Sequence, residues 1–371
     1  MITIKIGGVI FEKEKNFSNL LDIINLYSNN SIFFVISAFG KTSHTLRNCI
    51  ELILNNQHKK SNTELKKLKS FYFDLMKSNN LTNNNYITQI ESLFTQLSDL
   101  YKGVKLTNEC SDKIWSKILA QGEIISSKII YFYLLENLNS NIQKIKWILA
   151  TELLTTSPDY RKAKPNLIQS KAKYKKIITN QNHEIIISQG FFGANDQNEI
   201  CTMGFESSNL SACIIGQISK SKRIIFVSDV EGIRTRGPKY FKNHKLITHI
   251  DYNTAETLGK LGLKLLIPSM IKFAKDYNLD IQFHSYQNYD DNYSLISNKE
   301  TPNTTEIIIP DKDNNKITLY GINIDTLNTV CNNNYFKINL NKILFESKYL
   351  ILELNPKTNF EKACLNLEEL L

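Results

Sequence analysis

Ile2-Thr3-Ile4-Lys5-Ile6-Gly7-Gly8, near the start of the chain, is a short apolar run that ends in two glycines. Ile32-Phe33-Phe34-Val35-Ile36 repeats the pattern before Ser37, and apolar residues between 17 and 26 recur at helical spacing. Such runs are typical of buried parallel strands. Further strands are predicted at 145–150, 184–188, 223–227, 246–250 and 280–284. Because helical segments separate the strands, the pattern predicts an α/β fold, a layered sandwich on a mostly parallel sheet.

The rest of the chain divides into an insert, a long helix and a second domain. Residues 61–101 carry apolar residues at helical intervals in a polar background, which predicts a helical hairpin insert. The pattern from Asp112 to Leu138 predicts the longest helix. Gly122 in its middle lowers helix stability by about 1 kcal/mol relative to alanine, so we expect that packing or function requires a glycine there.

Polar residues 286–304, which include Pro302, predict a linker after a first domain of residues 1–285. Beyond it, strands are predicted at 305–309, 317–319, 335–340 and 349–354, followed by a helix over 359–371. Residues 305–371 are therefore predicted to form a small α+β domain.

Composition limits the classes of partner. The chain has 371 residues, of which 42% are hydrophobic, and its net charge is +9. No basic block alternates with aromatic residues, so no nucleic-acid partner is predicted, although a positive field favours encounter with anionic ligands. The N-terminal run carries a charge at Lys5, unlike a signal peptide, and no apolar run approaches the ~20 residues of a membrane helix. We expect a soluble protein without a membrane partner.

The six cysteines are scattered, and no pair has the spacing of a zinc site. We therefore predict no protein metal site and a reducing, cytoplasmic location. The six histidines show no pairing with a nucleophile, so they receive no catalytic assignment.

The Lys5–Gly8 turn has two readings. Two glycines after a strand let backbone N–H groups approach phosphate oxygens, and a nearby lysine offsets the charge of a transferred phosphoryl group. Alone, the motif is more often an ordinary turn, so its interpretation depends on other motifs in the chain.

Five motifs occur in the order found in aspartate kinases, and residues 1–285 resemble that branch of the amino acid kinase family. The motifs are Lys5–Gly8, Ser37–Thr42, Gln121–Glu123, the loop 189–212 and the segment 228–239. The resemblance implies the amino acid kinase fold, ATP and Mg²⁺ as cofactors, and an amino acid whose carboxylate becomes an acyl phosphate, most simply L-aspartate. It places both ligands at the carboxyl ends of the strands, as open α/β sheets generally do.

The resemblance also implies roles for single residues. Lys5 and Lys264, with Asn209 in the place of a lysine-positioning aspartate, would be catalytic. Gly7, Gly8, Ser228, Asp229, Arg234 and Lys239 would bind the nucleotide. Ser37, Thr42, Glu123, Phe191, Phe205 and Ser208 would face the amino acid substrate. For Lys264 and Glu123, the competing interpretation is an exposed helical side chain.

The loop 204–209 departs from the family pattern. Phe205 stands where the family has an arginine that holds the substrate carboxylate, and a charge-assisted hydrogen bond of that kind contributes ~1.5–3 kcal/mol. Glu206 adds a negative charge, Asn209 replaces an aspartate, and Val9 replaces a threonine. Three outcomes stay open: a slow aspartate kinase, a kinase of a different carboxylate-bearing amino acid, and an inactive nucleotide- or ligand-binding homologue.

Relatives of this type carry two ligand-binding ACT modules, and residues 305–371 have room for at most one, complete or degenerate. We therefore expect an ACT-like C-terminal domain without ordinary feedback control, and a homodimer formed through it.

Overall fold

The computed structural model describes residues 1–13, 17–138, 144–178, 184–204, 206–287, 289, 292–300, 306–322, 324–346 and 348–371. The chain forms two compact units. Unit 1 contains Met1–Val230 and His284–Tyr289, and unit 2 contains Glu231–Phe283 and Asp290–Leu371.

Unit 1 is an α/β unit. Its strands are β1 (Ile2–Ile6), β2 (Ile32–Ile36), β3 (Lys144–Trp147), β4 (Thr155–Thr156), β5 (Pro165–Asn166), β6 (Glu184–Gln189), β7 (Phe192–Ala194), β8 (Ile200–Thr202) and β9 (Ile224–Ser228). Its helices are α1 (Ile10–Lys13), α2 (Asn19–Leu26), α3 (Thr42–Leu54), α4 (His58–Ser78), α5 (Asn84–Thr107), α6 (Asp112–Asn137), α7 (Ala150–Leu153), α8 (Leu167–Ile177) and α9 (Ser208–Ser219).

A parallel sheet in the order β9-β1-β2-β6-β3 forms the centre of unit 1. All five residues of β2 are buried, which explains why the strand reads as a continuous apolar run. A smaller sheet, in the order β5-β4-β7-β8, lies beside it in the same unit. The predicted α/β fold with a mostly parallel sheet is confirmed.

The longest helix, α6, belongs to the interior of unit 1. It is long and apolar enough to cross a membrane, but 83% of its apolar window is buried inside the protein, as in a core helix. A Cβ on Gly122 would lie 3.0 Å from both Ala38 Cβ and Thr42 Cγ2. The glycine therefore lets α6 approach the loop after β2 closely. This close packing explains why a glycine stands in the middle of the helix.

Residues of the predicted helical insert lie in α4 and α5. Asn83 caps α5, because its side chain accepts a hydrogen bond from the Asn85 amide at 2.9 Å. The ring of Phe94 on α5 contacts those of Tyr72 and Phe73 on α4, with centroids 5.8 and 6.2 Å apart. The insert thus continues the core of unit 1.

Unit 2 contains two groups of strands. Its strands are β10 (His249–Asp251), β11 (Ile281–Ser285, where the chain re-enters unit 1), β12 (Ser294–Ser297), β13 (Ile307–Asp311), β14 (Lys316–Tyr320), β15 (Leu340–Glu346) and β16 (Tyr349–Leu354). Its helices are α10 (Tyr252–Lys260), α11 (Pro268–Tyr277), α12 (Ile324–Asn332), α13 (Asn334–Asn339) and α14 (Phe360–Leu370). β12 pairs with β10 and β11, while an antiparallel sheet has the order β13-β14-β16-β15.

Two segments differ from the sequence-based expectation. The predicted strand 335–340 is wrong: α13 covers most of it, because Asn333 caps the helix by accepting the Tyr335 amide at 2.9 Å, and Phe336 is fully buried. The predicted linker 286–304 contains β12, where buried Ser294 accepts the Ile233 amide at 2.8 Å and donates to the Ile247 carbonyl at 2.6 Å. Residues 288, 290, 291 and 301–305 lie outside the described residues.

Candidate functional site

Several predicted site residues of unit 1 lie at one edge of the parallel sheet. Lys5 is the penultimate residue of β1, and its register partners are Val35 on β2 and Phe226 on β9. Gly7 and Ser37 follow β1 and β2, while Ser228 ends β9. Because parallel strands end at the same edge, the fold brings these residues together, at the location where open α/β sheets bind ligands.

Close backbone packing surrounds the two glycines after β1 and requires glycine at position 8. The Gly7 amide donates to the Val227 carbonyl at 2.9 Å, and Gly8 accepts from the Gly40 amide at 2.7 Å. A Cβ on Gly8 would stand 1.7 Å from the Ala38 carbonyl oxygen, a distance that no side chain tolerates. These contacts hold the first loop against the loop after β2.

Lys5 is the central cation of this edge. Its Nζ lies 3.8 Å from the position of a Cβ on Gly7, so the side chain turns toward the glycine loop. Burial lowers the pKa of Lys5 to about 8, and the carboxylates of Glu123 and Glu206 oppose this shift. Both carboxylates therefore act on the Lys5 ammonium group.

Glu123 is the buried acid of the site, and 3% of its surface is exposed. Burial raises the pKa of Glu123 to about 8, against the opposing effects of its own and the Ala38 backbone amides and of Lys5. The predicted alternative, an exposed helical glutamate, is wrong. A carboxyl and an amine whose pKa values are shifted toward each other are typical of functional sites.

Two buried polar atoms beside this pair have no hydrogen-bond partner among the described residues. They are Glu123 Oε2 and the hydroxyl oxygen of Ser37, the residue before Ala38. Leaving a buried polar group unpaired costs about 1–3 kcal/mol, so such groups call for an explanation. A bound polar ligand would satisfy both atoms.

Sequence reasoning missed a hydrogen-bond network that holds the backbone at Gly122, the residue before Glu123. The buried Tyr72 hydroxyl on α4 lies 2.8 Å from Ser126 Oγ and 3.0 Å from Thr42 Oγ1, and Ser126 accepts the Phe39 amide at 3.0 Å. Ser126 also donates to the Gly122 carbonyl at 2.7 Å. The available sequence signal was the position of Ser126 four residues after Gly122, one helical turn away. The Thr42 hydroxyl, predicted to face substrate, donates to the Phe39 carbonyl at 2.6 Å and belongs to this network.

The turn after β6 has strained backbone geometry. Buried Phe191 has a φ of 75°, and the Phe192 amide donates to the Gly190 carbonyl at 2.9 Å, which makes a γ-turn of the rare positive-φ form. The Ser211 hydroxyl, near the start of α9, accepts the Phe191 amide at 3.0 Å. Backbone strain of this kind is concentrated at ligand sites.

The N-terminus of α9 packs directly on this turn. A Cβ on Gly190 would stand 2.6 Å from Ser208 Cβ, so glycine permits the close approach. Ser208 is buried and Asn209 half-buried in the first turn, which contains no acidic residue. The partial positive charge of a helix N-terminus attracts anions, and here no carboxylate within the first turn competes for it.

Glu206 precedes α9 by two residues. It is exposed and has a φ of 65°, a conformation that few residues other than glycine and asparagine adopt. Its carboxylate favours the charged form of Lys5 and opposes the effect of burial on the pKa of that lysine. Phe205, the other departure from the family pattern, lies outside the described residues.

The predicted nucleotide residues fall in both units. In unit 1, Ser228 is half-buried and its hydroxyl donates to the Val230 carbonyl at 3.3 Å, while Asp229 is exposed. In unit 2, the Arg234 guanidinium pairs with Glu231 and lies 3.2 Å from His244 Nδ1, and Lys239 is exposed.

Lys264 also belongs to unit 2. It is exposed, as in the competing interpretation, but it lies in the turn between α10 and α11 and not in a helix. Its convergence with Lys5 stays a prediction. Among the described residues there is no group of three or more His, Cys, Asp or Glu side chains that could hold a metal ion.

Comparisons with known proteins agree with this fold. The model of the amino acid kinase family matches residues 1–284. A bifunctional aspartokinase/homoserine dehydrogenase of Buchnera aphidicola is 26% identical over 279 residues, which make up 73% of this chain and 33% of that protein. The aspartokinase of Chlamydia pneumoniae is 29% identical over 163 residues, 44% of this chain and 36% of the relative. The chain thus spans about a third of the length of these curated relatives.

Solved structures share the architecture. That of Escherichia coli aspartokinase III in complex with aspartate and ADP has a TM-score of 0.73 at 18% identity, covering 97% of this chain and 79% of that one. Clostridium acetobutylicum aspartate kinase has a TM-score of 0.66 at 17% identity, covering 100% and 83%. At these identities, the likeness shows the fold alone.

Proposed function

The chain belongs to the amino acid kinase family, and from this premise we propose that it transfers the γ-phosphoryl group of ATP to an amino acid carboxylate. The product is an acyl phosphate, and L-aspartate, which would give 4-phospho-L-aspartate, is the first acceptor to test. The observation that carries the proposal is the half-buried Lys5 beside the buried Glu123, at the carboxyl ends of the parallel strands.

Lys5 and the glycine loop form the phosphoryl side of the proposed site. Phosphoryl transfer requires mainly alignment and charge neutralisation, with little covalent chemistry from the protein. We assign Lys5 to neutralise the charge on the transferred group, and Gly7 and Gly8 to bring backbone close to the phosphates. Lys264 is the proposed second cation, and Asn209 the residue that helps to position the two lysines.

For the nucleotide, we propose that Ser228 and Asp229 contact the ribose and that Arg234 and Lys239 bind at its periphery. Mg²⁺ is usually held by substrate phosphates with few protein carboxylates, and a described site without a three-ligand cluster fits Mg²⁺ that enters with ATP. When bound, this ion supplies further neutralisation of the phosphate oxygens.

The acceptor side uses the buried acid. We propose that Glu123 receives the substrate amino group, because its Oε2 has no hydrogen-bond partner in the described part of the chain and an ammonium ion would stabilise its charged form. Ser37 and Ser208 are proposed to hydrogen-bond the carboxylates. Phe191 is proposed to face the amino acid, as is Phe205, which lies outside the described residues, and Thr42 supports the acceptor side through Tyr72.

One observation favours a different acceptor. The Glu206 carboxylate acts on Lys5, so a second anionic group would sit close to an anionic substrate. A carboxylate-bearing amino acid with a neutral or cationic side chain would meet less repulsion there than aspartate does. An inactive homologue is the remaining alternative.

A coupled assay separates these outcomes. ADP release is measured with MgATP and each amino acid in turn, and hydroxylamine traps any acyl phosphate as a hydroxamate. Aspartyl hydroxamate that disappears in a Lys5→Met variant supports the proposal, and a hydroxamate with another amino acid alone identifies a changed acceptor. ATP binding without hydroxamate identifies the inactive homologue, and absence of both binding and turnover contradicts a kinase site.

We further propose a cytoplasmic homodimer with an ACT-like C-terminal domain. All six cysteines are free, which suits a reducing compartment. In unit 2, β15 is an edge strand whose Ile343 and Phe345 are 38% and 54% exposed. Apolar side chains on an unpaired edge favour association with a second copy. Equilibrium sedimentation of the chain and of Phe345→Lys tests this assignment, since the variant is expected to shift toward monomer.

A further inference from the structure

A groove in the helical part of unit 1 lies apart from the residues of the proposed kinase site. It is formed by α4 and α5 with the end of α3 below them, and its volume is about 680 Å³. Ligand pockets for small molecules commonly occupy ~300–1,000 Å³. Lys5, Glu123, Ser37 and Ser208 are absent from its lining, so the groove is a separate feature.

The floor of the groove is apolar and fixed in place. Leu65, Phe94, Leu97 and Tyr101 line it. Phe94 packs against Tyr72 and Phe73, and the Tyr101 hydroxyl donates to the Leu46 carbonyl at 2.7 Å. Because these contacts fix the aromatic side chains, the floor is formed before any ligand arrives.

The rim of the groove is positively charged. Its lining contains four lysines, 66, 69, 102 and 105, together with His58, and no aspartate or glutamate. Lys69 lies 3.7 Å from Glu91, and Lys102 lies 2.9 Å from Asp99. Lys66 and Lys105 have no ion pair with any residue in the part of the chain that the structure describes, so two cations are left to face the groove.

We propose that this groove binds a small organic anion with an aromatic or aliphatic body. The apolar floor would contact the body, while Lys66 and Lys105 would contact a carboxylate, sulfonate or phosphate group. Charge complementarity excludes a cationic ligand, and a neutral ligand would gain nothing from the rim. His58 adds a polar atom, since its Nδ1 is buried and has no hydrogen-bond partner within the ranges that the structure describes.

A matched pair of dyes tests the proposal on the full chain. The anion 8-anilinonaphthalene-1-sulfonate and the neutral N-phenyl-1-naphthylamine share the same ring system and differ in the sulfonate. Fluorescence titrations give the affinity and stoichiometry of each dye, and they are run with and without MgATP so that any dye bound at the proposed nucleotide site is recognised by its displacement, while the rim and floor variants report on the groove. The readout does not depend on turnover, so it is independent of whether the chain is an active kinase.

Two variants separate the rim from the floor. Lys66→Ala combined with Lys105→Ala removes the unpaired cations, and its control is Lys171→Ala combined with Lys175→Ala on the exposed face of α8. Ser98→Trp, at an exposed lining position, fills the groove without changing its charge. Unchanged thermal unfolding midpoints establish that each variant is folded.

We expect the anionic dye to bind the wild type at one site per chain. Its affinity for the rim variant should be about tenfold lower, because the attraction of two partly screened lysine charges is lost. Its affinity for the control variant should be unchanged. The neutral dye is expected to bind more weakly to the wild type and equally to the rim variant, and Ser98→Trp is expected to abolish binding of both. Equal affinity of the two dyes, or anion binding that survives both the rim variant and Ser98→Trp, overturns the proposal.

Discussion

The loop after β1 and the segment that leads into α9 contribute to the same site of unit 1, but they are built differently. In the first loop, Lys5, Gly7 and Gly8 keep the residue types that the resemblance leads one to expect, and backbone packing fixes their positions. In the second, Phe205, Glu206 and Asn209 all differ from the family pattern, and Glu206 adopts a left-handed conformation.

For the proposed kinase activity, this difference separates two chemical requirements. The groups that neutralise phosphate are constrained by one chemistry, whatever the acceptor. The groups around the acceptor change with the substrate. Because the Glu206 carboxylate still acts on Lys5, the altered segment also affects the electrostatics of the retained one. Variants in the two regions should therefore have effects of different size.

The largest effect is expected from Lys5→Met. Removing one preorganised group that stabilises transition-state charge typically costs ~10²–10³ in kcat. We expect a loss of that size in hydroxamate formation and weaker ATP binding by calorimetry. Lys171→Ala, in an exposed part of α8, is the control and should retain activity. A Lys5→Met protein that is folded and fully active would contradict the proposed catalytic role of this loop.

Gly8→Ala tests the backbone packing of the same loop. The added Cβ would lie 1.7 Å from the Ala38 carbonyl oxygen, so the two loops must move apart. We expect the free energy of unfolding, measured with urea, to fall by about 1–3 kcal/mol or more. Gly103→Ala on α5 is the matched control, because nothing lies within 4 Å of its Cβ and alanine stabilises a helix by about 1 kcal/mol. Equal responses of the two variants would contradict the described packing.

Glu123→Gln tests the buried acid through the pH dependence of stability. The pKa of Glu123 is about 8 in the folded protein and 4.5 ordinarily, so between these values the folded state holds a proton that the unfolded state has released. The contribution of Glu123 to the free energy of unfolding therefore falls as pH rises from 4.5 to 8.

Glutamine cannot titrate, so the free energy of unfolding of the variant should rise relative to that of the wild type by a few kcal/mol between pH 4.5 and 8. Urea unfolding at pH 5, 6.5 and 8 measures the difference, and Glu109→Gln, at an exposed loop position, is the control. A difference that is constant with pH would mean that Glu123 is ionised as readily as an exposed glutamate.

The smallest effect is expected from Glu206→Gln. The Glu206 carboxylate raises the pKa of Lys5, so its removal should lower that pKa further. In a pH profile of kcat/KM, we expect the alkaline limb to move to lower pH by a fraction of a unit, because Glu206 is exposed and solvent screens its charge. An alkaline limb that stays in place would separate Glu206 from the Lys5 site.

Local pattern predicted the parallel core well. The runs at 2–6 and 32–36 are buried on both sides, and Gly122 marked the contact between α6 and the loop after β2. The segment 335–340 failed because its apolar residues suit either a strand or a short helix. The capping hydrogen bond at Asn333 favours the helix, and a search for alternating apolar residues does not detect a cap.

Residues of the candidate site that belong to contiguous sequence motifs could be predicted. Residues that reach the site through contacts between distant parts of the sequence could not. Lys5, Ser37 and Glu123 were assigned to the candidate site from their motifs, whereas Tyr72 comes from the insert, 50 residues before the Gly122 carbonyl that it contacts. The shifted pKa values of Lys5 and Glu123 were also beyond sequence reasoning, because burial causes both shifts.

The titration of Lys5 tests the central claim most directly. The Nζ resonance of this lysine is followed by ¹⁵N NMR against pH and assigned with the Lys5→Met variant, in the free protein and with a non-hydrolysable MgATP analogue. We predict a pKa of about 8 in the free protein and a higher value with nucleotide, since phosphate stabilises the charged ammonium group. A pKa near the ordinary 10.5 that nucleotide leaves unchanged would contradict a phosphate site at Lys5.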